Sequence, residues 1–173
     1  MNLHDNQIQN IDSLSGLTNL NYLYLSHNQI CDFSPLDGLG SFYGITKYNQ
    51  DCDTDGVFDQ YDSCPNEDST GFDADGDGCI DSFLGLNDLL TSLVESGVIP
   101  ESFSNSLFAK VSNAEKSLDK DVICSAVNGL NALINEINAQ TGKKISTDAA
   151  TEIINYATSL SDYLISSNEL SCN

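Results

Sequence analysis

Apolar residues follow two rhythms along this chain, with a polar interval between them. Up to about residue 50 they recur every 22 positions: Leu3 returns as Leu25, Ile8 as Ile30, Ile11 as Phe33, Leu14 as Leu36 and Leu17 as Leu39. Polar positions keep the same step, Asn6 returning as Asn28 and Gln7 as Gln29. A third copy has decayed, since Ile45 stands for Leu23 but Lys47 for Leu25. Units this short cannot bury an apolar face alone, so the pattern predicts stacked copies, each with one short strand. From Phe83 the spacing becomes helical. Phe83, Leu86, Leu89, Leu90, Leu93 and Val94 share a face that ends before Gly97 and Pro100. Phe103, Leu107, Phe108, Val111, Ala114 and Leu118 make a second stripe. Ile123, Ala126, Val127, Leu130, Leu133, Ile134 and Ile137 make a third, closed by Gly142. Ser146 or Thr147 caps a fourth, with Ala150, Ile153, Ile154, Ala157, Leu160 and Leu164. Four amphipathic helices on short loops predict an antiparallel bundle, with the stripes as core rather than a membrane or cofactor surface.

The interval between, Asp51 to Asp81, holds eleven carboxylates and no Lys or Arg. Such a stretch becomes compact only when a cation neutralises it. Counting Asp51 as position 1, oxygen donors fall at Asp51, Asp53, Asp55, the Val57 carbonyl, Asp59 and Asp62, the positions 1, 3, 5, 7, 9 and 12 of a calcium loop, and Gly56 takes the turning position 6. A second run opens alike with Asp73, Asp75, Asp77, Gly78, the Cys79 carbonyl and Asp81, but its position 12 is Leu84, so water or a residue outside the loop has to complete it. Asp55 is expected to be the critical ligand and Asp81 a minor one. Asp and Gly are also ordinary turn residues, so a solvated acidic linker is the alternative. Carboxylates without His or Cys suit Ca²⁺ rather than zinc.

Leu20-x-x-Leu23-x-Leu25-x-x-Asn28, with NQI and SPL at the 22-residue step, resembles leucine-rich repeats of the bacterial internalin type. That resemblance implies a solenoid whose concave face carries Asn2, His4, Asp5, Tyr22, Tyr24, Ser26, His27, Thr46 and Tyr48, and such faces commonly bind a partner. The tyrosines suit contacts that tolerate water, or merely suit a strand. Asp51, Asp53, Asp55, Gly56, Asp59, Asp62, Cys64 and Pro65 resemble a thrombospondin type 3 repeat, which implies irregular backbone wrapped on Ca²⁺ with disulfide-bonded cysteines. GLNALINEINAQTGKKIS resembles a FIMAH-type helical module of secreted multidomain bacterial proteins. The expected fold is therefore multi-module: a short leucine-rich-repeat solenoid over 1–50, irregular calcium-binding loops over 51–82 and an all-α four-helix bundle over 83–173.

A net charge of −20 argues against nucleic acid and anionic membranes as partners. No run of about 18 apolar residues marks a transmembrane segment, and Met1 begins no apolar leader. Six cysteines and calcium loops nonetheless belong outside the cell, so the chain reads as part of a longer protein that is secreted or at the cell surface. If the third and fourth helices run antiparallel, Cys124 at the start of one lies beside Cys172 past the end of the other. Cys64 and Cys79 flank the turn between the acidic runs and are expected to pair, which leaves Cys31 for Cys52; free buried thiols are the alternative. No nucleophile elbow, HExxH or phosphate loop accompanies His4 and His27, so no enzyme is expected. The expected function is a calcium-stabilised extracellular adhesion or recognition segment that binds a protein or surface polysaccharide through the repeat face. A non-catalytic tail of a secreted hydrolase and a structural spacer are the alternatives.

Overall fold

The computed structural model describes residues 1–40 and 43–172. They form two compact units: Met1–Thr70 with Gly76–Cys79, and Gly71–Asp75 with Ile80–Asn173. The division differs from the three modules read from periodicity, because the acidic interval is shared out: residues 51–70 and 76–79 belong to the first unit, and 71–75 and 80–82 to the helical unit.

In the first unit, strand β1 (Tyr22–Tyr24) pairs in parallel with β2 (Gly44–Thr46), setting Tyr22 opposite Gly44 and Leu23 opposite Ile45. Parallel bridges join Asn2 to Tyr24 and Asn28 to Gln50 at the same 22-residue offset. Short 3-10 turns at Asp12–Leu14 and Ser34–Leu36 repeat at that offset too. Ile11, Leu14, Leu23, Leu25, Ile30, Leu36 and Leu39 fill the core between them. The backbone that leaves each strand cannot pair with itself, and a side-chain amide satisfies it. Asn28 donates to the carbonyls of Leu3 (2.9 Å) and Leu25 (2.8 Å) and accepts the Ile8 N–H (3.0 Å). One step on, Gln50 donates to Leu25 O (3.0 Å) and accepts the Ile30 N–H (3.0 Å). Both amides are buried, where an unmet backbone group would cost roughly 1–3 kcal/mol.

The second unit is built on four helices: α1 Phe83–Glu95, α2 Glu101–Leu118, α3 Ile123–Gln140 and α4 Thr147–Ser167. Ser82 caps α1 by accepting the Gly85 N–H, and Ser146 caps α4 by accepting the Ala149 N–H. Helices α1 and α3 each pack on both α2 and α4. Across α2 and α3, Ser106 bonds Glu136 (2.8 Å) while Ala114 faces Gly129, so those two helices run antiparallel. The approach is close enough that a Cβ on Gly129 would sit 2.7 Å from that of Ala114. Leu86, Leu90, Leu107, Val111, Leu130, Leu133, Ile137 and Ile153 are wholly buried in the core. No helix among the described residues is long and apolar enough to cross a membrane.

Candidate metal-binding loops and the repeat face

The runs that start at Asp51 and Asp73 share one hydrogen-bond pattern. Asp59 N–H donates to Gln50 O (2.9 Å) and its carboxylate accepts the Cys52 N–H (2.8 Å). Asp81 N–H donates to Phe72 O (2.8 Å) and its carboxylate accepts the Ala74 N–H (3.1 Å). Asp55 accepts the Val57 N–H at 2.8 Å, as Asp77 accepts that of Cys79 at 2.9 Å. Left-handed backbone recurs in register, at Thr54 (φ 72°) and Gly56 (φ 101°), then at Gly76 (φ 77°) and Gly78 (φ 84°). The 22-residue step of the repeats thus continues through the acidic interval.

Carboxylate oxygens of Asp51, Asp53 and Asp55 lie within 4.8 Å of one another. Burial raises the pKa of Asp51, and the charges of Asp55 and Asp53 add to it. Asp62 is raised by burial and then by Asp53, Asp55 and Asp59, so the position-12 acid senses the field of this group. Its Oδ1 accepts the Cys64 N–H (2.6 Å), and its carboxylate rests where a Cβ on Gly78 would be. One oxygen each of Asp53 and Asp62 is buried without a hydrogen-bond partner. Ser69, 2% exposed, donates to Asp55 at 2.6 Å; nothing in its spacing marked it in the sequence. Val57 is half-buried beside Asp55. Disulfides Cys31–Cys52 and Cys64–Cys79 hold this unit, with Cα separations of 5.3 and 5.1 Å.

In the helical unit, oxygens of Asp73, Asp75 and Asp81 also lie within 4.8 Å of one another. Asp77 and Cys79 belong to the first unit. Asp81 is only 3% exposed, and burial pushes its carboxyl up to about 6, with the charges of Asp75 and Asp73 adding to the rise. Ser159 of α4 restrains that rise, yet Ser159 Oγ and Asp81 Oδ1 are both buried without a hydrogen-bond partner. Tyr156 of α4 accepts the Ser82 N–H (3.3 Å), and burial with the nearby Asp81 and Asp75 lifts its hydroxyl to about 12. Phe72 meets the Tyr163 ring at 5.4 Å. A third disulfide, Cys124–Cys172, ties the start of α3 to the segment after α4.

On the repeat face Tyr22, Tyr24 and Tyr48 are 50%, 40% and 54% exposed, and Thr46 is half-buried. Ser26 departs from its expected exposure, being 0% exposed. Alternation carries Leu23 and Leu25 inward and ends there, and Ser26 and Asn28, on either side of the left-handed His27 (φ 56°), are buried as well. His27 therefore sits on the turn rather than on the strand. Tyr43, 80% exposed and 6.1 Å from the Tyr22 ring, was missed because it stands one repeat after a non-aromatic residue, Asn21. Asn2, His4, Tyr24, Thr46 and Tyr48 line an open groove of about 350 Å³.

No curated protein and no solved structure matched this chain. Residues 1–38 match the family model for Leucine Rich repeats in two copies. Residues 83–162, covering most of the helical unit, match that of the FIMAH domain, so the two ends of the chain resemble two separate families.

Proposed function

We propose that this chain is a calcium-stabilised recognition segment of a secreted or cell-surface protein, binding a protein or surface polysaccharide through the repeat face. The observation that carries the calcium reading is the set of carboxylate oxygens on Asp53, Asp62 and Asp81, buried with no hydrogen-bond partner. An unpaired buried carboxylate is costly, and a cation is the usual remedy. The donors are hard oxygens, the set that Ca²⁺ prefers. Asp51, Asp53, Asp55 and Asp62, with the Val57 carbonyl and Asp59, would hold one ion. Asp73, Asp75 and Asp81 would contribute to a second. The resemblance to thrombospondin type 3 repeats supports this reading, and three disulfides are compatible with an extracellular setting. Tyrosines that are large, exposed and grouped support a recognition surface.

Titration calorimetry of the EDTA-stripped protein tests the metal reading: calcium-dependent heat that falls to the second loop's share in Asp53→Ala is expected, and no heat in the unaltered protein overturns it. For the surface, Tyr22→Ala with Tyr24→Ala should weaken attachment to the partner while calcium binding persists. Unchanged attachment would remove this face from the proposal.

A further inference from the structure

The two histidines of this chain, His4 and His27, meet at one place, the turn that follows the strand position of each repeat. Asp5, His27 and Asn49 occupy successive copies of that turn and all adopt left-handed backbone, with φ of 55°, 56° and 55°. Side chains from equivalent turns are stacked by the repeat, and His4 reaches the same spot from the end of its strand position. His4 Nε2 lies 3.1 Å from one Asp5 carboxylate oxygen and His27 Nδ1 lies 3.7 Å from the other. All three ligand atoms fall within 4.8 Å of one another. A tetrahedral zinc with bonds of about 2.0–2.1 Å sets its ligands roughly 3.3 Å apart, close to the 3.1 Å between His4 Nε2 and its nearer Asp5 oxygen.

His27 Nδ1 provides the second observation, because it is buried and has no hydrogen-bond partner. The ring cannot easily turn to relieve this, since Tyr48 and Phe58 meet it edge-on at 6.1 and 5.7 Å. Its other nitrogen, Nε2, lies 2.9 Å from the side-chain amide of Asn49, which in turn bonds Gln60 at 2.8 Å. Amide oxygen and nitrogen exchange places when the group turns over. With Asn49 and Gln60 both turned, Asn49 Oδ1 accepts a hydrogen bond from the Nε2–H and the Nδ1 lone pair is left for a metal, the usual arrangement of a ligating histidine with an outer partner.

We propose that His4, Asp5 and His27 form a zinc site, separate from the acidic loops, that binds Zn²⁺ through Nε2, a carboxylate oxygen and Nδ1. Two imidazoles with one carboxylate favour zinc over calcium. Three protein ligands leave one tetrahedral position for water.

The unaltered chain allows a direct test, because its only imidazole protons belong to these two residues. In proton NMR with millimolar Ca²⁺ present throughout, one equivalent of Zn²⁺ should shift the ring signals of both histidines. If neither signal moves, or only one does, the site is wrong as drawn. The readout does not depend on what the acidic loops bind. By calorimetry under the same conditions, His27→Asn, which keeps a residue tolerant of left-handed backbone, should abolish zinc binding at this site. Asn49→Gly should weaken it roughly 10- to 100-fold. Zinc affinity unchanged in both variants overturns the proposal.

Discussion

The loops from Asp51 and Asp73 fold alike and end in different surroundings. Both close through a position-9 aspartate that accepts the position-2 N–H, and both turn through left-handed residues at positions 4 and 6. In the first, Asp59 is half-buried, whereas in the second its counterpart Asp81 is buried beside Ser159 of α4. Among the described residues Asp81 is the one buried acid. Local sequence therefore sets the path of each loop, while the element packed against it sets how strongly its charge has to be met. A carboxylate left in water has solvent as a partner, and one sealed under a helix has only what the protein or an ion supplies.

The largest expected effect comes from the position-6 glycines. Gly56 has open space around its missing Cβ, whereas a Cβ on Gly78 would collide with Asp62. Gly56→Ala should cost about 1–2 kcal/mol, the left-handed penalty alone. Gly78→Ala should cost about 3 kcal/mol or more, because overpacking adds to that penalty. Chemical unfolding of the disulfide-intact protein measures both, and equal losses would erase the distinction between the loops.

Calcium removal comes next. An extracellular site with Kd of about 0.1 mM in roughly 2 mM calcium contributes about 1.8 kcal/mol by mass action. EDTA should therefore lower the melting temperature of the helical unit as well as that of the repeats, since Asp73, Asp75 and Asp81 pack in the former. A helical transition indifferent to EDTA would leave only the first loop as a calcium site.

Asp81→Asn sharpens the contrast further, because its sign should depend on the metal. In EDTA it removes an unpaired buried charge while keeping the acceptor for Ala74, and should stabilise the helical unit by about 1–3 kcal/mol. In calcium it should reduce the stabilisation by metal. Asp51→Asn, at a half-buried position, should change little in EDTA. Scanning calorimetry with and without calcium reads both variants.

The smallest effect is at position 4, where the first loop has Thr54 and the second Gly76, both left-handed. A β-branched residue is strained there, so Thr54→Gly should stabilise the first loop by about 1 kcal/mol. A loss of stability in equilibrium unfolding would mean that the Thr54 side chain contributes more than its strain.

By itself, the sequence determined the periodic parts of this protein. The 22-residue step fixes which residues pair between strands, because parallel neighbours at one offset bury Leu23 and Leu25 and stack Asn28 over the backbone it satisfies. The 3.6-residue step fixes four helices and their buried stripes, and Ser146 marks the start of the fourth. Cys124 and Cys172 were readable as a pair from the helix order alone. Tertiary structure decided what periodicity does not encode. It buried Ser26 where the strand alternation ended, placed Gln50 in the role of Asn28 although the two differ by a methylene, and set Ser159 and Tyr156 around the second loop from far along the chain. Spacing specifies which way a residue points within its own element, but burial and the pairing of charge depend on what another element brings to it.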